Sequence, residues 1–238
     1  MTFSPEVTAI NVLDKGYVRL VNAMGDDLTI VRAARVSYNA VWRTGEDAGK
    51  DEKLLRFLIA NGHTSPFEQV EFQFEIKLPI FVVRQWHRHR TWSYNEISAR
   101  YTEMKDEFYL PTPDTIGQQS KKNKQQRDVD MEMSSSEYAQ REAECHMYRV
   151  ACERSIDIYE RLLAGGWPRE LARCCLPVSM YTMMFAKVDL HNLLSFIKKR
   201  THSGAQWEIQ QYAHALKQLI TPHVPVTMAL WEEEYGHA

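Results

Sequence analysis

From Val70 to Leu78 the chain alternates without a break: Val70, Phe72, Phe74, Ile76 and Leu78 are apolar, and Glu71, Gln73, Glu75 and Lys77 between them are polar. Side chains of an extended strand point to opposite faces with period two, so this segment reads as a half-buried strand of an antiparallel sheet. Pro79 lacks the N–H that would continue the ladder, and its fixed φ suits the first turn of a helix predicted from Ile80 to about His89. The rest of the chain shows no regular strand-helix repetition. The predicted class is therefore α/β of the α+β type, an antiparallel-rich sheet packed with long helices.

Other elements follow from the same patterning. Val18 to Leu20 and Leu28 to Val36 read as short strands around the turn Gly25-Asp26-Asp27, and Tyr38 to Lys50 as a loop. Asp51 to Asn61 reads as a helix stopped by Gly62. Ile97 to Met104 and Phe108 to Leu110 are strand candidates; Pro111 to Asp130 reads as a loop whose run Lys121-Lys122-Asn123-Lys124 is solvated. Ser134 and Glu137 have capping-box spacing ahead of a long helix that packs along Tyr138, Cys145, Tyr148, Cys152, Tyr159 and Leu162 and ends at Gly165-Gly166. A short helix from Pro168, a buried strand from Met180 to Val188, and helices over Leu190 to Lys199, Ala205 to Ile220 and Val226 to Tyr235 complete the pattern.

A chain of 238 residues with 44% hydrophobic and 25% charged residues fits one domain over 1–238. Its net charge of −2 argues against a nucleic-acid partner. Neither a secretory leader in Met1 to Glu6 nor an apolar run of membrane-spanning length is visible. The four cysteines include no Cys-x-x-Cys pair and read as reduced, packed thiols of a cytoplasmic protein; Cys145 with His146 makes no metal site, because adjacent helical residues point apart. No metal is expected.

Arg84 to Tyr101 carries the chemistry. Four arginines, His87, His89 and several large aromatics share this short run with a single acid, Glu96. Guanidinium forks match phosphate geometry and stay charged, while Trp86, Trp92, Tyr94, Ile97 and Tyr101 are too apolar to be left in water. The run should bind something anionic and flat at a pocket edge or against a partner chain. No Gly-x-Gly-x-x-Gly or P-loop pattern occurs, so a dinucleotide's phosphates would fall to these arginines.

Arg88-His89-Arg90, then Thr91 to Ile97, then Ser98 resembles the signature of the flavin-dependent thymidylate synthases. Asn61-Gly62-His63-Thr64-Ser65-Pro66-Phe67-Glu68 is similar to that family's segment beside the flavin, and Arg200 to Gln211 to its region around an arginine that meets the uracil ring. The resemblance implies a homotetramer with sites at subunit interfaces, converting dUMP to dTMP with FAD, NADPH and methylenetetrahydrofolate. It places His63, Ser65, Arg88, His89, Arg90, Glu96, Asp189, Leu190, His191 and Asn192 against FAD. It places Gln85, Trp86, His87, Arg88, Glu96, Ile97, Ser98, Ala99, Arg100, Tyr101, Arg173 and Arg200 against dUMP, with Arg200 catalytic. Tyr101 is expected to be half core and half pocket wall. Two other readings stay open: a nucleotide- or nucleic-acid-binding module built on the basic aromatic run, and a methyltransferase whose nucleophile is Cys174 or Cys175.

Overall fold

The computed structural model describes residues 9–121, 123–124, 126–128 and 132–236. Met1 to Glu6, Lys122 of the basic run and Asp130 at the end of the expected loop lie outside the described residues. In chain order the elements are β1 (Ala9–Val12), β2 (Gly16–Met24), α1 (Asp27–Val36), α2 (Ala48–Ala60), β3 (Glu71–Pro79), α3 (Ile80–Trp86), β4 (Ser93–Glu96), α4 (Pro113–Ile116), β5 (Gln118–Gln119), β6 (Arg127–Asp128), α5 (Ser135–Ala164), α6 (Arg169–Ala172), β7 (Tyr181–Asp189), α7 (Leu190–Thr201), α8 (Trp207–Ile220) and α9 (Pro225–Tyr235).

The alternating segment is β3, and it stands in the middle of a five-stranded sheet of order β1-β2-β3-β7-β4 in which every pairing is antiparallel. Phe72, Phe74, Ile76 and Leu78 have no exposed surface. They pack under the helices of one face, where Trp92 meets Phe74 and joins it to Trp86 and Phe196 in a single aromatic cluster. The opposite face is polar and laced across strands: Lys187 Nζ meets Glu71 at 2.9 Å, Tyr17 Oη donates to Glu75 at 2.6 Å, and Lys77 Nζ meets Glu107 at 2.8 Å. Packing on one face only is what the alternation requires.

Several expectations are corrected. Leu28 to Val36 lies within α1, not a strand: the Asp26 carboxylate accepts from Thr29 N at 2.8 Å while Asp26 N donates to Thr29 Oγ1, closing a capping box, and only Ile30 and Val31 are buried. Tyr38 to Lys50 is not all loop, since a 3₁₀ turn forms at Val41–Arg43 and α2 starts at Ala48 under an Asp47 cap. Ile97 to Met104 is not a strand; the strand precedes it as β4, and Ile97 N adds one bond to Met183 O before the chain turns. Phe108 forms a single bridge with Met180. The stretch read as loop from Pro111 holds α4 and the β5–β6 hairpin.

The Ser134 and Glu137 capping box starts α5 as expected, with Ser134 N donating to Glu137 Oε2 at 2.8 Å. Only Cys152, Ile156 and Tyr159 of that helix are buried, so its first half stands away from the core. Among the described residues no helix is long and apolar enough to cross a membrane.

Gly16 starts β2 where the backbone has no room for a side chain. A Cβ there would lie 2.7 Å from Val12 O and 2.8 Å from Lys77 O, and would collide with Tyr212 Oη, which donates to Lys77 O at 2.8 Å. Gly16→Ala is therefore expected to cost about 1–3 kcal/mol by overpacking, against about 1 kcal/mol for the lost hydrogen bond in Tyr212→Phe. Urea midpoints of the two variants check the order.

Candidate functional site

Arg200 closes α7, and its guanidinium reaches back to the end of α3. Nε donates to His89 Nε2 at 2.9 Å, and Nη2 donates to the carbonyl of Gln85 at 3.0 Å. Gln85 O accepts from Arg88 N at 3.3 Å in the turn that ends the helix, and its second lone pair is left for a cation. His89 stays in place because Phe196 packs on its ring at 4.7 Å and Tyr94 Oη donates to its carbonyl at 2.9 Å.

Burial, then the neighbouring charges of Arg200 and Lys199, lower the His89 pKa to about 4. Burial also lowers that of Arg200. The imidazole is therefore neutral at ordinary pH and accepts from the guanidinium, the only arrangement in which the two can touch without repulsion. A cleft of about 850 Å³ opens in front of Gln85 and Arg200, walled by Gln206, Trp207 and the hairpin residue Arg127.

Below its rim lies a buried carboxylate. Glu208, 1% exposed in the first turn of α8, accepts from Arg127 Nη2 at 2.8 Å, from Tyr109 Oη at 3.3 Å and from Gln206 Nε2 at 2.9 Å. Gln206 in turn bonds Gln85 side chain to side chain. Glu208 and Gln206 sit inside the 200–211 stretch without a role in the resemblance, and the acid at a helix's second position is the one signal the sequence offers for them. Arg127 carried no signal at all.

The remaining sequence candidates fall into two further clefts and a surface. Glu96, Ile97, Ala99 and Arg173 line one of about 360 Å³. His63 and His191 line another of about 200 Å³ with Tyr235 and Lys198. Arg88 and Arg90 are exposed on the turn after α3, as are His87, whose ring meets Tyr94 at 4.6 Å, and Ser65. Ser98 Oγ accepts from Arg100 N at 3.3 Å, and Arg100 reaches Glu170 at 3.7 Å.

Three placements correct the expectations, those of Trp86, Leu190 and Tyr101. Trp86 has no exposed surface and packs on Phe196 at 4.6 Å, so its side chain is core and not pocket wall. Leu190 is likewise wholly buried. Asp189 and Asn192 are engaged with each other, the carboxylate accepting Asn192 N at 2.9 Å and Asn192 Nδ2 at 2.7 Å as the cap of α7. Tyr101, expected half in the core, is 81% exposed.

Among the described residues Arg84, Arg88, Arg90 and Arg173 have no carboxylate within ion-pair distance. Arg84 and Arg173 line the 360 Å³ cleft, and uncompensated guanidiniums there fit a pyrophosphate or a nucleotide monophosphate. No group of three or more His, Cys, Asp or Glu that could hold a metal ion occurs among the described residues.

The sequence model of the family described as thymidylate synthase complementing protein matches residues 19–226. The flavin-dependent thymidylate synthase of Thermus thermophilus is 46% identical over 225 residues, which cover 94% of this chain and 78% of that protein. The enzyme of the same name from Thermosipho africanus is 42% identical, covering 91% of this chain and 90% of its own. Among solved structures, a UMP/dUMP methylase from Streptomyces cacaoi bound with 5-Br dUMP superposes with a TM-score of 0.82 at 34% identity, over 96% of this chain and 99% of that one.

The half-buried imidazole has a consequence for stability. The unfolded histidine titrates near 6.5 and the folded one near 4, so between those values the unfolded chain binds more protons. Stability contributed by His89 is then lost as pH falls through that window and is constant above it. Urea midpoints across the window should rise with pH in the wild type and rise less in His89→Gln, which keeps an acceptor for Arg200 but does not titrate. Parallel profiles would show that His89 is not the titrating group.

Proposed function

We propose, from the premise that the chain belongs to the flavin-dependent thymidylate synthase family, that it converts dUMP to dTMP with FAD as cofactor, methylenetetrahydrofolate as carbon donor and NADPH as reductant. The observation that carries this reading is the Arg200 guanidinium, held by a neutral His89 and the Gln85 carbonyl at the mouth of a nucleotide-sized cleft. The uracil ring lies against Gln85 and Arg200, and the nucleotide's phosphate against Arg173 of the second cleft and the neighbouring Arg100 and Ser98. Arg88 and Arg90 take the flavin's pyrophosphate, with His63, Ser65, Glu96 and His191 around it.

Each residue then has a physical task. C5 of uracil attacks as the electron-rich carbon of a negatively charged ring, and the Arg200 guanidinium stabilises that charge before the attack consumes it. Two of its N–H groups are already engaged by protein, so it is oriented before substrate arrives. FAD held by these residues would supply the redox chemistry and the carrier for the carbon unit. No enzyme thiol is required. Cys175 Sγ donates to Ala172 O at 3.1 Å and Cys174 Sγ to Glu170 O at 3.7 Å, and among the described residues no histidine or lysine hydrogen-bonds either thiol to stabilise a thiolate.

The reading extends to one catalytic domain over 1–238 that acts as a homotetramer with sites between subunits. What supports the tetramer is the division within one chain: the Gln85–Arg200 cleft and the Glu96–Arg173 cleft share no lining residue, and exposed, unpaired Arg88 and Arg90 lie on the chain between Gln85 and Glu96. Free thiols at Cys145, Cys152, Cys174 and Cys175 suit a cytoplasmic location.

Purified protein should be yellow or shift the spectrum of added FAD, and indifference to FAD would remove the basis of the proposal. Arg200→Ala should keep FAD and lose dTMP formation by about 3 kcal/mol, as for one lost anion-stabilising donor; unchanged turnover would refute its role. The double change Cys174→Ala, Cys175→Ala should lower stability yet leave synthesis measurable at low temperature. Abolished synthesis in that folded, flavin-loaded variant would favour the thiol mechanism, since Cys174 lines the cleft of Arg173.

A further inference from the structure

Glutamine amides are ambiguous readers of a base, because the same group offers a donor on one side and an acceptor on the other. Gln85 stands in the Arg200 cleft, and which side it shows decides what ring the cleft accepts. Two bonds fix the choice. Glu208 is a carboxylate and accepts only, so Gln206 must turn Nε2 toward it, at 2.9 Å. That leaves Gln206 Oε1 facing Gln85, which must answer with its own Nε2. Gln85 Oε1 then has no hydrogen-bond donor among the described residues and is the atom left for a ligand.

We propose that Glu208 is a positioning residue for base selection: through Gln206 it sets the Gln85 amide so that the cleft presents an acceptor beside the Arg200 donor, which matches uracil and mismatches cytosine. Uracil carries a donor at N3–H between two carbonyl acceptors, whereas cytosine carries an acceptor at N3 beside an amino donor. Gln85 Oε1 meets N3–H of uracil and would oppose the lone pair of cytosine N3. The inference rests on the nucleotide reading given above and adds to it the residue that enforces the choice.

Arg127 makes the arrangement directional. Its Nη2 holds Glu208 Oε1 at 2.8 Å, and Tyr109 Oη supports the same oxygen at 3.3 Å. A carboxamide at 208 would have to give its carbonyl to Arg127 and turn its N–H₂ toward Gln206. Gln206 would then accept from 208 and donate to Gln85, and Gln85 would show its N–H₂ to the cleft. One isosteric change more than 30 residues beyond Cys175, and two side chains away from the ring, inverts the pattern seen by the base.

The test is the ratio of dUMP to dCMP affinity on the FAD-loaded enzyme, by titration calorimetry, in the wild type and Glu208→Gln. The wild type should prefer dUMP; the variant should narrow that preference on the order of tenfold, the worth of one misplaced hydrogen bond. An unchanged ratio, or an equal loss for both nucleotides, would overturn the proposal, since a merely structural role weakens both alike. Because a buried ion pair is broken, Glu208→Gln could fail to fold. Gln206→Met then decides, with the amide relay cut and the carboxylate retained: a narrowed ratio supports the proposal and an unchanged one ends it. Wild-type protein that binds neither FAD nor dUMP would instead fail the functional reading.

Discussion

The contact between Trp86 and Phe196, ring centroids 4.6 Å apart and neither side chain exposed, is what the site hangs on. Trp86 ends α3 and Phe196 lies one turn before Arg200 in α7, so their packing brings the C-terminal ends of two helices together over β3. Burying two large aromatics completely is worth several kcal/mol, enough to hold two helix ends of like dipole side by side. The exposed carbonyls at those ends need a cation, and Arg200 supplies it by donating to Gln85 O. The catalytic guanidinium is thus placed by apolar packing and kept there by a backbone dipole.

That origin explains how unevenly the sequence revealed the molecule. The alternation in β3 was legible because one buried face forces period two, and the cap of α5 because Ser134 and Glu137 satisfy each other locally. Leu28 to Val36 misled because its β-branched residues favour a strand, while the deciding contact, Asp26 with Thr29, is a three-residue device at its edge. At the site, the arginines were readable as a class because charge without acids has few uses. Which of them converge was not: Trp86 and Leu190 lie within the matching stretches yet serve the core, and Arg127 reaches Glu208 across a separation of 81 residues that no local pattern records.

Electrostatics within the cleft obey one sign rule. Glu208 is surrounded by donors on every listening atom, Arg127, Tyr109 and Gln206, which is the condition for a carboxylate with 1% exposure to remain in a folded protein. Arg200 is offered only neutral acceptors, an imidazole and a carbonyl. The first arrangement consumes a charge and the second preserves one. A guanidinium paired with a carboxylate would have its field cancelled before substrate arrived, whereas one held by dipoles keeps it for the charge that forms on the ring.

The same reasoning applies to the arginines outside the cleft. Elsewhere on the surface this chain pairs its arginines readily: Arg19 with Glu75, Arg56 with Glu52 and Glu233, Arg169 with Glu103. In the Arg84 to Ser98 run Arg84, Arg88 and Arg90 have no carboxylate at ion-pair distance among the described residues, in a chain whose acids outnumber its Lys and Arg by 31 to 29. Mutual repulsion of uncompensated cations is a standing cost to the isolated fold. A bound pyrophosphate or nucleotide removes it, so ligand binding and stability are coupled through the same side chains.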